Sequence, residues 1–383
     1  MSPTAAGSYA PPAAVLCGLA GWVPSRVVTN EHLARRLDTD DAWIRTRTGI
    51  RRRHVVDPGQ STSDLAVEAG RGALACAATD RADAVLVATT TPDHSCPATA
   101  PAVAARLGLT GAAAFDISAV CTGFVYGLAS AAGLIAAGVA ERVLLIGADT
   151  YSTIVDPLDR ANAILFGDGA GAVVLRAGHP DEPGAVGHFD LGSDGAHEDL
   201  ITVAVRRFPT ALPTGRTQPP GPALRHAGQG GLPPRRDAHG RVGARHAVPG
   251  YGWKIDDVDH FVPHQANLRI LHSVADDLGL PRERCVTHVE SVGNTGAASI
   301  PLALADAAAR QALRPGDRLL LSAFGGGLTW GSCLLTWPML PAPYHLYDRP
   351  PHLYDEPVHL YDEPPHLYDE PVHPYDQGER TTS

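Results

Sequence analysis

Three near-continuous apolar runs restrict what this chain can become: Ala84–Thr90 (AVLVATT), Arg142–Gly147 (RVLLIG) and Arg318–Phe324 (RLLLSAF). A strand without polar alternation belongs to a sheet covered on both faces. Helical patterns lie between such runs, at Ser61–Thr79, Pro97–Leu107, Leu268–Leu278 and Ser299–Gln311. Thr62 and Ser63 are candidate caps for the first of these, and Asn30 for a short helix over Thr29–Leu37. Further strands are expected at Val15–Trp22, Ala112–Ile117, Val258–Pro263, Cys285–Val289 and Ser332–Trp337. Ile50–Val55 reads as a strand or loop, and Leu165–Leu175 as a glycine-rich turn entering a strand. Strands alternating with helices give an α/β layered fold. A second set of similar size begins near Trp253, which suggests an internal duplication. A length of 383 residues allows either two domains or one large duplicated one.

One of these strands leads to a cysteine. Ala112–Ile117 runs into Cys121, and a helix of small apolar residues follows over Thr122–Ala137, ending at Gly138. A helix apolar nearly all round packs inside a domain. At its N-terminus the helix dipole and unpaired N–H groups favour a thiolate. Cys121 is therefore either a nucleophile or a plain buried cysteine.

The net charge of −10 gives no indication of nucleic acid. The six cysteines contain no CxxC pair, which argues against a zinc site. Neither a signal peptide nor a run of about 18 apolar residues is visible, so a cytoplasmic protein with free thiols and no membrane span is expected. Two segments stand apart. Residues 206–250 hold eight Arg, eight Pro and eight Gly with no structural period, a length of irregular chain unusual inside a compact domain. This is either a frame-shifted stretch of a GC-rich gene, restored downstream, or a genuine flexible loop; resequencing the gene separates the two. From Tyr344 the chain repeats every seven residues (YHLYDRP, PHLYDEP, VHLYDEP, PHLYDEP, VHPYDQG). Recurrent proline excludes a coiled coil and predicts an extended, acidic, disordered tail. Its histidines at 345, 352, 359, 366 and 373 could bind metal weakly, or the repeat is an expanded DNA tract without chemistry.

Cys121, His264, Asn294 and Gly325-Gly326-Gly327 all fall at turns following apolar strands. In α/β sheets such ends face the ligand crevice. A thiolate can take an acyl group from a thioester. A His and an Asn can together hydrogen-bond an oxygen as it becomes negative, and a glycine loop lets backbone N–H groups approach an acyl oxygen. Singly, each has a structural explanation: a satisfied histidine, a turn asparagine, a glycine turn.

The segments AVCTGFVYGL, PHQANLRI, VGNTGAAS and AFGGGLTWGS, in that order, together with WIRTRTGI and LFGDGAGAVVL, resemble the β-ketoacyl-acyl-carrier-protein synthase III family of the thiolase superfamily. The resemblance spans residues 14–205 and 251–338. It implies an α/β, thiolase-like duplicated α-β-α layered fold: residues 14–178 as the half with the nucleophile, 179–340 as the half with His264 and Asn294, and 341–383 as the tail. It implies a homodimer. It implies that Cys121 is acylated, that His264 and Asn294 assist malonyl decarboxylation and stabilise the enolate, and that the N–H groups of Cys121 and Gly326 form the oxyanion hole. Trp43, Arg47 and Arg160 match positions that hold coenzyme A; Asn267 and Arg269 fall near the tunnel mouth where the carrier arm and acyl carrier protein dock. Cys96 stands where relatives often place a Phe that closes the partner subunit's acyl pocket, so a starter longer than acetyl is expected. The implied reaction joins an acyl-CoA starter to malonyl-ACP, without metal or cofactor, at the start of fatty acid synthesis or, preferred for a tailed, GC-biased copy, aromatic polyketide synthesis. The alternatives are an acyltransferase of the same fold that does not condense, and an inactive homologue. Residues 206–250 depart from the family pattern, which has there a strand, a pocket loop and a helix with a Phe/Met-x-Gly motif.

Overall fold

The computed structural model describes residues 11–196, 201–203, 224–226, 248, 252–341 and 352–353. In chain order the elements are β1 (Ala13–Trp22), β2 (Arg26–Thr29), α1 (Asn30–Ala34), α2 (Asp41–Thr48), β3 (Arg52–Val55), α3 (Thr62–Cys76), β4 (Ala84–Ala88), α4 (Ala100–Arg106), β5 (Ala113–Ile117), α5 (Gly123–Ala136), β6 (Arg142–Thr150), α6 (Arg160–Ala163), β7 (Asp168–Gly178) and β8 (Ala185–Ser193). They continue with β9 (Ile201–Val203), β10 (Leu224–His226), β11 (His260–Pro263), α7 (Leu268–Leu278), α8 (Val289–Val292), α9 (Ser299–Ala309), β12 (Arg318–Gly325), β13 (Thr329–Thr336) and β14 (His352–Leu353).

Among the described residues, the main sheet runs β11-β12-β13-β8-β1-β7-β6-β4-β5. It contains the same arrangement twice. In the first half, β4 lies parallel to β5 and β6, while β7 is antiparallel to both β6 and β1. In the second, β11 is parallel to β12, and β13 is antiparallel to both β12 and β8. The slot equivalent to β5 holds only a single parallel bridge, Phe261 to Cys285. The halves join through a short antiparallel pairing of β1 with β8, Ala14 opposite Val186 and Val15 opposite Ala185.

The order of elements explains the layers. Helices α5 and α9 are almost wholly apolar, and one core cluster holds Phe124, Val125, Leu128 and Ile135 with Ile300, Leu302 and Leu304 and with strand residues of both halves, including Leu145, Val173, Val262 and Leu321. Each such aliphatic side chain withdrawn from water contributes about 1.5–3 kcal/mol. Helix α3 covers the opposite face, where Leu65, Ala66, Ala69 and Ala73 pack on Val85, Leu144 and Val174. The apolar strand runs are thus buried on both sides, as their lack of alternation requires.

Local structure differs from expectation at four places. Thr29, not Asn30, caps α1; Asn30 is buried and spends its amide on Asp41 Oδ1 (2.8 Å) and the Ile50 carbonyl (2.8 Å). Ser61, not Thr62 or Ser63, caps α3, and the Asp64 carboxylate reaches back to its N–H at 2.8 Å. The expected strand Cys285–Val289 is reduced to the Cys285 bridge, because Val289–Val292 forms a helical turn. The second half begins earlier than Trp253, with β8. Within the irregular segment, β10 pairs antiparallel with β9, and Leu224 and Val248 are buried in a core cluster. The remainder of 206–250 and of the heptad tail lies outside the described residues, as do the frame-shift and disorder expectations; His352–Leu353 pairs parallel with Arg26–Val27. Among the described residues, no helix is long and apolar enough to cross a membrane.

Candidate active site

The sharp turn between β5 and α5 places Cys121. Val120 has φ +49°, a left-handed conformation that costs a β-branched residue about 1–3 kcal/mol. The turn Val120–Thr122 then feeds directly into Gly123, so Cys121 sits against the first turn of α5 and is 8 % exposed. Thr122 locks it, donating its hydroxyl to the Ala119 carbonyl at 2.6 Å and sharing a hydrogen bond with Thr329 Oγ1 at 2.7 Å. The glycine loop after β12 arrives from the other half. A β-carbon on Gly325 would lie 3.0 Å from Cys121 N and 3.2 Å from Cys121 Cβ, so any larger residue there would press on the Cys121 turn. The next residue, Gly326, is buried, and its carbonyl lies 3.1 Å from Thr329 Oγ1.

His264 is the residue after β11. Its N–H donates to the Ser322 carbonyl of β12 at 2.8 Å, and its Nδ1 lies 2.7 Å from Ser299 Oγ at the start of α9. Burial pushes the imidazole down to about 4, against a smaller opposing effect of the nearby Gly296 carbonyl. Neutral imidazole therefore prevails above that pH. The imidazole ¹⁵N shifts of His264, assigned with a His264→Asn variant, are expected to stay flat from pH 8 to 5 and move only near pH 4; a midpoint near 6.5 would contradict this.

Asn294 is held by backbone on both sides. Its N–H donates to the Leu165 carbonyl at 2.8 Å, and its carbonyl accepts from Gly167 N–H at 3.0 Å. Its Oδ1 accepts from Gly296 N–H at 3.0 Å, so the amide NH₂ is the group free to donate into the site. A β-carbon on Gly167 would meet the Val292 carbonyl at 2.2 Å, which accounts for glycine in the LFGDGAG segment. The turn Gly296–Ala298 packs on Val120–Thr122, bringing the Asn294 and Cys121 segments together.

The flanking candidates form a separate, more exposed group. The Arg47 guanidinium lies 4.2 Å and that of Arg160 5.0 Å from the centre of the Trp43 ring. Arg160 also donates to the Asp38 carbonyl at 2.8 Å. Asn267 caps α7, accepting from Ile270 N–H at 3.0 Å, and Arg269 is exposed beside it. Helix α7 abuts α2, since a β-carbon on Gly49 would lie 2.5 Å from Leu268 Cβ. Cys96 is exposed on the loop before α4, whereas Cys121 is buried.

Four buried polar residues of the site went unread in the sequence. Gln265 holds the loop after His264: its Oε1 accepts from His288 N–H (2.7 Å) and Val289 N–H (3.2 Å), and its Nε2 donates to the Pro263 (2.7 Å) and Val286 (3.1 Å) carbonyls. Ser299 anchors His264. Asp149, at the end of β6, accepts from Thr90 N–H (2.6 Å) and Ala297 N–H (2.8 Å), and burial pushes its carboxyl up to about 7 against those bonds. Tyr151 follows it.

Residues 115–195 match the family model described as 3-oxoacyl-[acyl-carrier-protein] synthase III, and 250–337 match that of its C-terminal region. Residues 196–249, which include most of the irregular segment, lie between the two matches. A Streptomyces coelicolor protein named beta-ketoacyl-[acyl-carrier-protein] synthase III 5 is 57 % identical over 332 residues, covering 86 % of this chain and 99 % of its own. A Pseudomonas aeruginosa protein named beta-ketoacyl-[acyl-carrier-protein] synthase III is 52 % identical over 341 residues, 86 % of this chain and 98 % of its own. The crystal structure of the 3-oxoacyl-(acyl carrier protein) synthase III from Pseudomonas aeruginosa PAO1 superimposes with a TM-score of 0.80 at 50 % identity, over 86 % of this chain and 99 % of that one. The priming beta-ketosynthase of the R1128 polyketide biosynthetic pathway does so with 0.76 at 32 % identity, over 88 % and 100 %. With its thiolase-like duplicated sheet and relatives matched along nearly their whole length, this chain belongs to the 3-oxoacyl-acyl-carrier-protein synthase III family.

Proposed function

We propose that the protein condenses an acyl-CoA starter with malonyl-ACP, with Cys121 as the acylated nucleophile. The observation that carries this reading is the convergence on one buried turn of Cys121, at the head of α5, with the Asn294 turn and the glycine loop after β12. The Cys121 thiolate attacks the starter thioester, the C–S bond to coenzyme A breaks, and CoA leaves as its thiol after taking a proton. The Cys121 and Gly326 N–H groups hold the carbonyl oxygen as it becomes negative. Malonyl-ACP then enters and loses carbon dioxide; His264 and the Asn294 NH₂ hydrogen-bond the thioester oxygen of the enolate. We assign to His264 the tautomer whose Nδ1 accepts from Ser299 and whose Nε2 carries the proton. The enolate carbon attacks the acyl-enzyme, the bond to Sγ breaks, and 3-oxoacyl-ACP departs. Exclusion of water protects the thioester and strengthens the dipoles aimed at the enolate.

The aromatic–guanidinium group of Trp43, Arg47 and Arg160 suits a nucleotide base and phosphates, and Asn267 and Arg269 on the adjoining helix suit the carrier arm and its protein. The exposed position of Cys96 in one chain fits a homodimer in which it closes the partner's acyl pocket with a small side chain. We read residues 14–178 and 179–340 as the two halves, acting in the cytoplasm. The product enters fatty acid or, as we favour, polyketide synthesis; likeness to a priming beta-ketosynthase supports the latter.

The test is incubation with labelled acyl-CoA and malonyl-ACP. Release of 3-oxoacyl-ACP is expected. Label retained on Cys121 without condensation product would make the protein an acyltransferase instead, and no label on Cys121 would remove the assignment. A panel of CoA esters identifies the starter.

A further inference from the structure

Asp149, the last residue but one of β6, is fully buried. Its carboxylate joins the two halves of the molecule. Oδ1 accepts from Thr90 N–H at 2.6 Å, with the Thr89 and Thr91 hydroxyls at 3.3 and 3.4 Å. Oδ2 accepts from Ala297 N–H at 2.8 Å, 148 residues along the chain. The two segments are in direct backbone contact, since a β-carbon on Gly147 would lie 2.4 Å from the Ala297 carbonyl oxygen. The neighbouring N–H, that of Gly296, donates to Asn294 Oδ1 at 3.0 Å. Two consecutive N–H groups therefore tie the Asn294 side chain to its turn, and the turn to Asp149.

We propose that Asp149 is a positioning residue for the enolate step: its carboxylate, fixed from the first half, holds the Gly296–Ala298 turn where Asn294 can present its NH₂ to the thioester oxygen. A hydrogen bond to an anion is roughly twice as strong as one between neutral groups, so the ionised form holds the turn best. Three donors surround Oδ1 and one meets Oδ2, which leaves Oδ2 as the oxygen to take a proton. A hydroxyl there confronts the Ala297 N–H with a donor of its own. Burial pushes the carboxyl up to about 7 against its hydrogen bonds, so the carboxylate prevails above that pH and the hold weakens as pH falls through it. The other titratable groups of this corner are Tyr151, Cys121 and His264. Burial, then Asp149 and Cys121, keep the Tyr151 ionisation well above its ordinary value, and His264 stays neutral down to about 4. Neither changes charge near pH 7.

The inference rests on Cys121 being acylated, and the experiment separates the two claims. The full-length protein is acylated at pH 8 with labelled acyl-CoA, freed of CoA, and mixed with malonyl-ACP at pH 8 to 5.5. A single turnover starting from the acyl-enzyme removes the ionisation of Cys121 from the profile. The wild-type rate is expected to fall through a midpoint near pH 7. In Asp149→Asn the carboxamide oxygen can serve Thr90 only by turning its NH₂ onto the Ala297 N–H. The variant is expected to acylate Cys121 at close to the wild-type rate. Its single turnover should be about a hundredfold slower, the effect of a displaced catalytic group, and flat across the same pH range. General loosening of the fold would slow both half-reactions and leave the pH step in place. Equal losses in acylation and condensation, an undiminished single turnover, or a pH step that persists in the variant each overturn the role of Asp149. Should the variant fail to fold, the wild-type profile decides: a step near pH 7 upholds the role, and a flat rate overturns it. A wild type that takes no label on Cys121 overturns the nucleophile assignment instead.

Discussion

Replacing Cys121 with Ala is expected to abolish both acyl transfer and condensation, with activity on acyl-CoA plus malonyl-ACP falling by at least about three orders of magnitude, as removal of a nucleophile does elsewhere. The structure makes this substitution informative. The side chain is small and buried, Thr122 holds the turn from both sides, and an Ala at 121 retains the backbone N–H assigned to the oxyanion hole. Folding should therefore be little affected, and the loss should reside in the covalent step. Of the six cysteines, Cys285 and Cys333 are poor substitutes: burial pushes the Cys285 thiol up to about 12 and that of Cys333 far above its ordinary value, so neither is a thiolate at neutral pH. Intact-protein mass spectrometry after incubation with acyl-CoA reads the result directly. An acyl adduct of unchanged stoichiometry on Cys121→Ala would end the assignment.

The second large effect is expected from one methyl group. Gly296 has φ +56°, and a β-carbon there would lie 2.3 Å from Asp149 Oδ2 and 2.5 Å from the Tyr151 ring. Neither neighbour can withdraw. Asp149 is tied to Thr90 and Ala297, and Tyr151 is stacked on Phe166. Gly296→Ala must therefore shift its own turn, and that turn carries the N–H that fixes Asn294 Oδ1 and packs on the segment holding Cys121. Positive φ alone costs a non-glycine residue about 1 kcal/mol or more. A displacement of about 1 Å in a catalytic group costs about a hundredfold in rate. The expected result is a lower melting temperature with condensation reduced about a hundredfold, and with acylation of Cys121 reduced less, because the glycine loop after β12 still flanks the nucleophile. Equal losses in both half-reactions would place the damage at Cys121 rather than at Asn294. Wild-type kinetics would mean that the turn has room the geometry denies it.

Much of this was legible in the residues. The apolar runs gave the doubly covered strands, Leu268–Leu278 has the predicted bounds, and the small-residue helix after Cys121 is central as its composition demands. The unread parts have physical reasons. β8, AVGHFDLGS, alternates weakly and contains two glycines, so it lacks the pattern of the buried strands, yet it opens the second half. β6 continues to Thr150, three residues past the expected end, because the polar GADT sequence satisfies its side chains internally. Stopping the strand at Gly147 hid Asp149 and Tyr151, which stand at the strand end where a site is built. Asn30 and Ser61 show that several residues suited to capping can sit side by side, and long-range bonds decide which one caps. Gln265 was visible only as part of a family motif; three of its four bonds reach segments 21 to 24 residues away, beyond the reach of any local pattern.

The doubled strand order carries a consequence for how such chemistry can change. Each half offers equivalent places at its strand ends. After β4 stands Thr90, and after its counterpart β11 stands His264; after β6 stands Tyr151, and at the end of β12 stands Gly325. The loops leading into the two central helices carry Cys121 on one side and Asn294 on the other. In the function proposed above, one copy accepts the acyl group and the other handles the enolate, each on an equivalent scaffold. Neither copy is sufficient alone, because Asp149 of the first holds Ala297 of the second, and Gly325 of the second leaves room for Cys121 of the first. A new activity in such a frame requires only that one occupant be exchanged, while its counterpart in the other copy keeps the old geometry in place.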